Sequence, residues 1–177
     1  MASGKSLVRE MLADAGMATI DADRVGHEVL EPSGAAFDEV RSRWPEVVVD
    51  GEISRSDLAG IVFGDRSQLE ELESITHPHI FDRIMGQVER LDSPVVVEMP
   101  ILTHGLRGDW RRLVVDSREA AKLARAIERG MSAADARARL QAQPSRAEWL
   151  ASADLVIPNH RSVDELRDVV AGVLPFL

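Results

Sequence analysis

Apolar positions recur at helical spacing from residue 6 to 15, with Leu7, Met11 and Leu12 on one side and Gly16 placed to end the run. The pattern predicts a helix over 6–15 and a short strand over 17–20. Helical spacing returns over 25–30, up to Pro32, and over 35–44, up to Pro45, since proline terminates helices. Residues 47–53, centred on Asp50-Gly51, predict a hairpin or turn. Helices are predicted over 58–63 and 69–75, and Pro78 is read as opening the next one, through 88, because proline suits a first turn. Three apolar runs rich in β-branched residues follow, at 95–97, 113–115 and 155–157. Such runs fit buried parallel strands.

Together with 17–20, these runs alternate with helices, which predicts an α/β fold: a doubly wound parallel sheet covered on both faces. Ligands of such a sheet lie beyond the carboxyl ends of its strands. Asp21 and Asp23 follow the first strand, Glu98 the second, Asp116 the third and Asn159 the last, so polar groups are expected along one rim. Neither a linker nor an internal repeat interrupts the chain. Residues 1–177 therefore read as one domain, with about 24–90 as a helical insertion.

Composition narrows the range of partners. The chain has 177 residues, 45% of them hydrophobic, enough for one core that buries about 70% of the unfolded surface. A net charge of -9 argues against nucleic acid, which is gathered by clustered Lys and Arg. It is compatible with a small polyanion held by aimed amides and a few cations. Cysteine is absent, which removes disulfides and thiolate metal sites. With no long apolar run and no signal-peptide pattern, the expectation is a cytoplasmic protein without membrane partners.

Ser3-Gly4-Lys5-Ser6, leading into a helix, is the second half of the phosphate-loop pattern G-x-x-x-x-G-K-[ST]. Glycine allows close approach to phosphate, first-turn N–H groups and the helix dipole favour an anion, Lys5 would reach the β and γ phosphates, and Ser6 would ligate Mg2+. The first glycine and a preceding apolar strand do not appear in the sequence. Asp21-Ala22-Asp23 would place two carboxylates on one side if extended. Asp23 could then position a substrate hydroxyl, whereas the structural alternative is a helix cap, which suits Asp21 better. Glu98, ending a strand, is either a carboxylate for Mg2+ or a solvated strand end. Arg125 and Arg129 lie one helical turn apart, with Arg137, Arg139 and Arg146 beyond, as phosphate contacts or a solvated face. His77-Pro78-His79 directs its two rings to different faces, so a helix-entry histidine is favoured over a zinc ligand.

In order and spacing these motifs resemble the dephospho-coenzyme A kinases. After Ser-Gly-Lys-Ser come Ile-Asp-Ala-Asp at 20–23, His-Glu-Val-Leu-Glu-Pro at 27–32 and Asp-Gly-Glu-Ile-Ser-Arg at 50–55. Leu-Glu-Ser-Ile-Thr-His-Pro at 72–78 is the most specific match, and Pro-Ile-Leu at 100–102, Val-Val-Asp at 114–116 and Ala-Asp-Leu-Val-Ile-Pro-Asn at 153–159 complete the series. The resemblance implies a P-loop NTPase-like fold and ATP-dependent, Mg2+-assisted phosphorylation of the ribose 3'-hydroxyl of dephospho-coenzyme A. It implies a nucleotide loop at Ala2, Ser3, Gly4, Lys5, Ser6 and Leu7, and Asp23 as the catalytic acid near the 3'-hydroxyl. Arg129 and Arg146 are implied as lid residues over the phosphates, within about 125–150, and Asn159 near the adenine. Asp21, His77 and Pro78 fall to the acceptor side, and Ser6 and Glu98 to the metal.

The chain departs from the family pattern at Leu7, where a second hydroxyl residue is usual, and around Thr103-His104, where an acid is usual. It departs again after Arg129, at Trp149 and at Arg161. Two functional readings remain open: an active kinase whose native chain carries an upstream strand and glycine turn, and a non-catalytic homologue that binds nucleotide or coenzyme A and acts through protein contacts. A kinase of nucleosides or nucleoside monophosphates is a third.

Overall fold

A computed structural model describes residues 1–102 and 105–177. The segment Thr103-His104 lies outside the described residues. Helix α1 (Lys5–Asp14) ends at Ala15, and Gly16 takes a φ of 93°, the left-handed turn that glycine permits. Strand β1 (Ala18–Asp21) passes without a break into α2 (Ala22–Glu28). Helix α3 (Phe37–Arg43) stops before Pro45, which opens a 3-10 turn. Strands β2 (Val48–Val49) and β3 (Glu52–Ile53) pair antiparallel, with Val48 opposite Ile53. Their loop places Asp50 at φ 51° and Gly51 at 83°, as a type I' hairpin turn requires.

Helix α4 (Arg55–Val62) is capped by Ser54, whose hydroxyl accepts from the Asp57 N–H. Next comes α5 (Arg66–Val88), 23 residues long, with Pro78 inside it. The two helices expected at 69–75 and from Pro78 onward are one, and His77 is a mid-helix residue rather than a helix-entry one. Proline has no N–H for the carbonyl four residues back and costs about 3 kcal/mol in a helix interior. Packing outweighs this loss: α5 lies against α2, α3 and α4, and its Ile84 is fully buried.

Beyond it, β4 (Val95–Glu98) and β5 (Leu113–Asp116) match the expected apolar runs. Helices α6 (Glu119–Glu128), α7 (Ala133–Gln141) and α8 (Arg146–Ala151) then lead to β6 (Leu155–Pro158) and α9 (Val163–Val173). β5 and β6 are parallel, Leu113 facing Leu155 and Asp116 facing Pro158. Ala18, entering β1, donates to the Pro94 carbonyl at 3.0 Å and lies beside β4.

The chain forms two compact units. The first comprises Met1–Thr19, Ser93–Leu102 and Gly108–Leu177; the second comprises Ile20–Asp92 with residues 105–107. In the first, Val8 and Leu12 of α1, Val115 and Ile157 of the parallel strands, and Leu166 and Val170 of α9 form one buried cluster. Complete burial of such side chains stabilises by about 1.5–3 kcal/mol each. In the second, Trp44 is buried and donates its indole N–H to Gln68 Oε1 at 2.7 Å.

Candidate active site

The loop before α1 has two left-handed residues, Ala2 at φ 53° and Gly4 at φ 100°. Gly4 is the N-cap of α1, no side chain caps the helix, and its first turn contains no acid. The first-turn N–H groups and the positive end of the helix dipole thus remain for an anion. Glycine at position 4 is also a matter of space. A Cβ there would stand 2.3 Å from Asn159 Nδ2.

Asn159 follows β6 and is buried; its amide donates to the Ser3 carbonyl at 2.7 Å. Arg125 of α6 reaches the same loop, with Nη1 3.3 Å from the Ala2 carbonyl and 3.5 Å from that of Ser3. The same Nη1 donates to Ser117 Oγ at 2.9 Å, and Nη2 to Asn159 Oδ1 at 3.4 Å. In the sequence Arg125 is one of several arginines, and no motif singles out Ser117. The available signal was a serine directly after a strand and an arginine one turn before Arg129.

Ser6 Oγ donates to Glu98 Oε1 at 2.9 Å, so β4 delivers its terminal carboxylate to the start of α1. The other oxygen, Glu98 Oε2, is buried without a hydrogen-bond partner and lies 3.4 Å from Arg9 Nε. A serine hydroxyl beside a strand-end carboxylate is a hard-oxygen donor set of the kind that suits Mg2+. Leu7 packs its side chain against the buried cluster under α1, which accounts for an apolar residue where the family has a hydroxyl.

Asp116 ends β5 and is buried. Arg146, first residue of α8, grips it with two bonds, Nε to Oδ1 at 2.7 Å and Nη2 to Oδ2 at 2.6 Å. His160 Nε2 stands 3.2 Å from Oδ2. The Arg146 hydrogen bonds hold the Asp116 carboxyl below its ordinary value; burial opposes this, and the nearby positive charges of Arg146, His160 and Lys122 add to the lowering. Arg129, the C-cap of α6, is exposed. Arg161 is exposed and pairs with Glu165 at 3.1 Å.

In the second unit, Asp21 is the N-cap of α2, its carboxylate accepting from the N–H groups of Asp23 at 3.0 Å and Arg24 at 3.3 Å. The extended Asp21-Ala22-Asp23 arrangement is therefore not formed. The capped helix starts at Ala22 and leaves Asp23 exposed in its first turn. Glu28 on the same helix accepts from Arg83 Nε at 2.8 Å and Arg24 Nε at 3.1 Å, and the Arg83 bond is the main cause of its lowered pKa. A cleft of about 750 Å³ is lined in part by Arg24, His27, Glu28, Glu31 and Arg55. His77 lies against Phe81, ring centroids 5.5 Å apart, whereas His79 faces Glu39 at 3.5 Å. The two rings do go to different neighbours, and no cluster of three metal-ligating side chains occurs among the described residues.

A loop whose N–H groups crown a helix, with a serine and a strand-end carboxylate beside it, is chemically suited to a phosphate, and the family model for dephospho-CoA kinase matches residues 1–165. The chain belongs to the dephospho-CoA kinase family. It is 37% identical to a dephospho-CoA kinase of Leifsonia xyli subsp. xyli, over 93% of this chain and 88% of that one. It is 35% identical to one of Carboxydothermus hydrogenoformans, over 98% and 89%. Among solved structures, a Thermus thermophilus protein superposes with a TM-score of 0.85 at 30% identity, covering 100% of this chain and 93% of its own. The dephospho-CoA kinase from Campylobacter jejuni superposes at 0.70 with 27% identity, over 99% and 92%. These matches bear out the α/β fold that the alternation of strands and helices predicts, and are consistent with the P-loop NTPase-like fold that the resemblance implies.

Proposed function

We propose that the chain transfers the γ-phosphoryl group of ATP to the ribose 3'-hydroxyl of dephospho-coenzyme A, the last step of coenzyme A synthesis. Membership of the dephospho-CoA kinase family over residues 1–165 carries this reading. The uncapped, anion-ready N-terminus of α1 supports it. Nothing observed favours a non-catalytic binding role.

Phosphoryl transfer runs through a loose transition state, so the protein's work is positioning and charge compensation. In the proposed assignment the N–H groups from Ser3 to Leu7 cradle the phosphates, with Ala2 turning the chain into the loop. Lys5 balances charge on the β and γ phosphates. Asp23 orients the 3'-hydroxyl and accepts its proton as the new oxygen–phosphorus bond forms and ADP departs. Arg129 and Arg146 belong to a lid over about 125–150, and Asn159 lies toward the adenine. Asp21, His77 and Pro78 belong to the acceptor side, Asp21 through its cap on the helix that carries Asp23. Ser6 and Glu98 would hold Mg2+, which when bound neutralises charge on the phosphates. A cytoplasmic location goes with this chemistry; among the described residues no helix is long and apolar enough to cross a membrane.

A coupled ADP-release assay with ATP and dephospho-coenzyme A, with mass analysis of the product, tests the proposal. Acceptor-dependent ADP release with formation of coenzyme A is expected. ADP release that does not depend on the acceptor would sink it, and a nucleoside monophosphate accepted in its place would redirect it.

A further inference from the structure

In an anion-binding loop the N–H groups face the ligand while their peptide partners face the protein. No cis peptide occurs among the described residues, so each N–H points opposite to the carbonyl of the residue before it. The Ala2 carbonyl shares a peptide with the Ser3 N–H, and the Ser3 carbonyl shares one with the Gly4 N–H. Whatever fixes these two oxygens also fixes the direction of two N–H groups.

Arg125 holds both oxygens, and Asn159 adds a second donor to that of Ser3. Arg125 Nη1 reaches the Ala2 and Ser3 carbonyls at 3.3 and 3.5 Å, and Asn159 Nδ2 reaches Ser3 at 2.7 Å. The pair is tied internally, Arg125 Nη2 to Asn159 Oδ1 at 3.4 Å, and the guanidinium is anchored on Ser117 Oγ at 2.9 Å. Ser117 is fully buried, and Ser3 and Asn159 are buried as well. We infer that Arg125 is a positioning residue for nucleotide binding: with Asn159 it clamps the carbonyl side of the 2–4 loop and so presents the Ser3 and Gly4 N–H groups to the phosphates.

A guanidinium suits this task because its donors form a planar fork that serves several acceptors at once, whereas an ammonium is a point donor. Arg125 acts on the phosphates through the loop and is not itself catalytic. The identity of the anion as ATP rests on the kinase reading; the clamp rests on the loop geometry alone.

Arg125→Ala, Arg125→Lys and Ser117→Ala, each in the full chain, test the inference. ATP binding is read by calorimetry, KM for each substrate by steady-state assay, and folding by circular dichroism. Arg125→Ala is expected to weaken ATP binding about 10- to 100-fold, as loss of a charged donor does, and to raise KM for ATP in step. KM for dephospho-coenzyme A stays within about twofold, since ATP contacts alone change. Arg125→Lys recovers part of the affinity, and so does free guanidinium added to Arg125→Ala. Unchanged ATP affinity in a folded Arg125→Ala protein overturns the inference, as does an equal rise in both KM values. If Arg125→Ala fails to fold, Ser117→Ala decides: weakening of ATP by about three- to tenfold supports the clamp, and no change overturns it. A wild-type chain that binds ATP without phosphorylating dephospho-coenzyme A sinks the kinase reading and leaves the clamp testable. One that binds no ATP sinks both.

Discussion

Gly4 answers to two demands at once, backbone angle and space. An alanine there would be held at a left-handed φ at a cost on the order of 1–2 kcal/mol, and its Cβ would meet Asn159 Nδ2 at 2.3 Å. Gly4→Ala is expected to fold and to lose at least about tenfold in ATP affinity, because the loop must shift to admit the methyl. Calorimetry beside a circular dichroism spectrum checks this. Asp23 poses a different problem, since its neighbour Asp21 takes the capping role and leaves it exposed. Asp23→Asn is expected to lower turnover by roughly 100- to 10,000-fold while KM for ATP holds, the range that general acid–base groups supply. Near-normal turnover would remove Asp23 from the chemistry. At this scale the contiguous half-motif 3–6 was legible in sequence, because its residues act through their own backbone and the helix they start. Arg125 was not. The two carbonyls it holds lie 123 and 122 positions away, and the one nearby partner, Ser117, is a weak signal among several arginines.

Among the elements, α5 shows where a local rule loses. Pro78 punctuates the sequence, yet the helix runs through it because its faces are covered by three other helices. Pro78→Ala is expected to raise the unfolding free energy by about 1–3 kcal/mol in a denaturant titration, since alanine can donate to the carbonyl that proline leaves unmatched. A rise in KM for dephospho-coenzyme A in the same variant is expected if Pro78 belongs to the acceptor side. The strands were read correctly because short β-branched runs carry their own signal. Helix α2 starts at Ala22 rather than at the expected 25, because a capping aspartate and an extended one look alike until the chain turns.

The junction of β5 with α8 has a pH signature. Asp116 has its pKa lowered by Arg146, so its stabilising effect is fully present above the ordinary value of 3.8 and fades as pH falls through the lower folded value. Asp116→Asn should therefore lower the unfolding midpoint at neutral pH, and its gap from wild type should close progressively below about pH 4. A gap that stays constant down to pH 2 would show that Arg146 gains nothing from the charge.

For the molecule as a whole, a net charge of -9 is compatible with a polyanionic substrate, since the proposed nucleotide loop offers N–H groups rather than a field of cations. In the proposed assignment, a divalent ion at Ser6 and Glu98 would offset part of the negative charge. Removing Mg2+ with a chelator is expected to abolish ADP release, with recovery on adding Mg2+, and Glu98→Gln should raise the Mg2+ concentration needed for half activity. The fold was largely readable from one sequence because alternating strands and helices leave few topologies. The sequence reads one domain with a helical insertion at about 24–90, and the structure places Ile20–Asp92 in the second of its two compact units.

The close approach of Gly4 and Asn159 bears on how such a sequence can drift. A smaller residue at 159 opens room for a side chain at 4 but leaves the φ of 100° unrelieved, so the second change only partly rescues the first. The two positions are linked by contact, although the chain places them near opposite ends. Changes at the two positions are therefore coupled rather than additive, and neither order of making them escapes the strained backbone at residue 4.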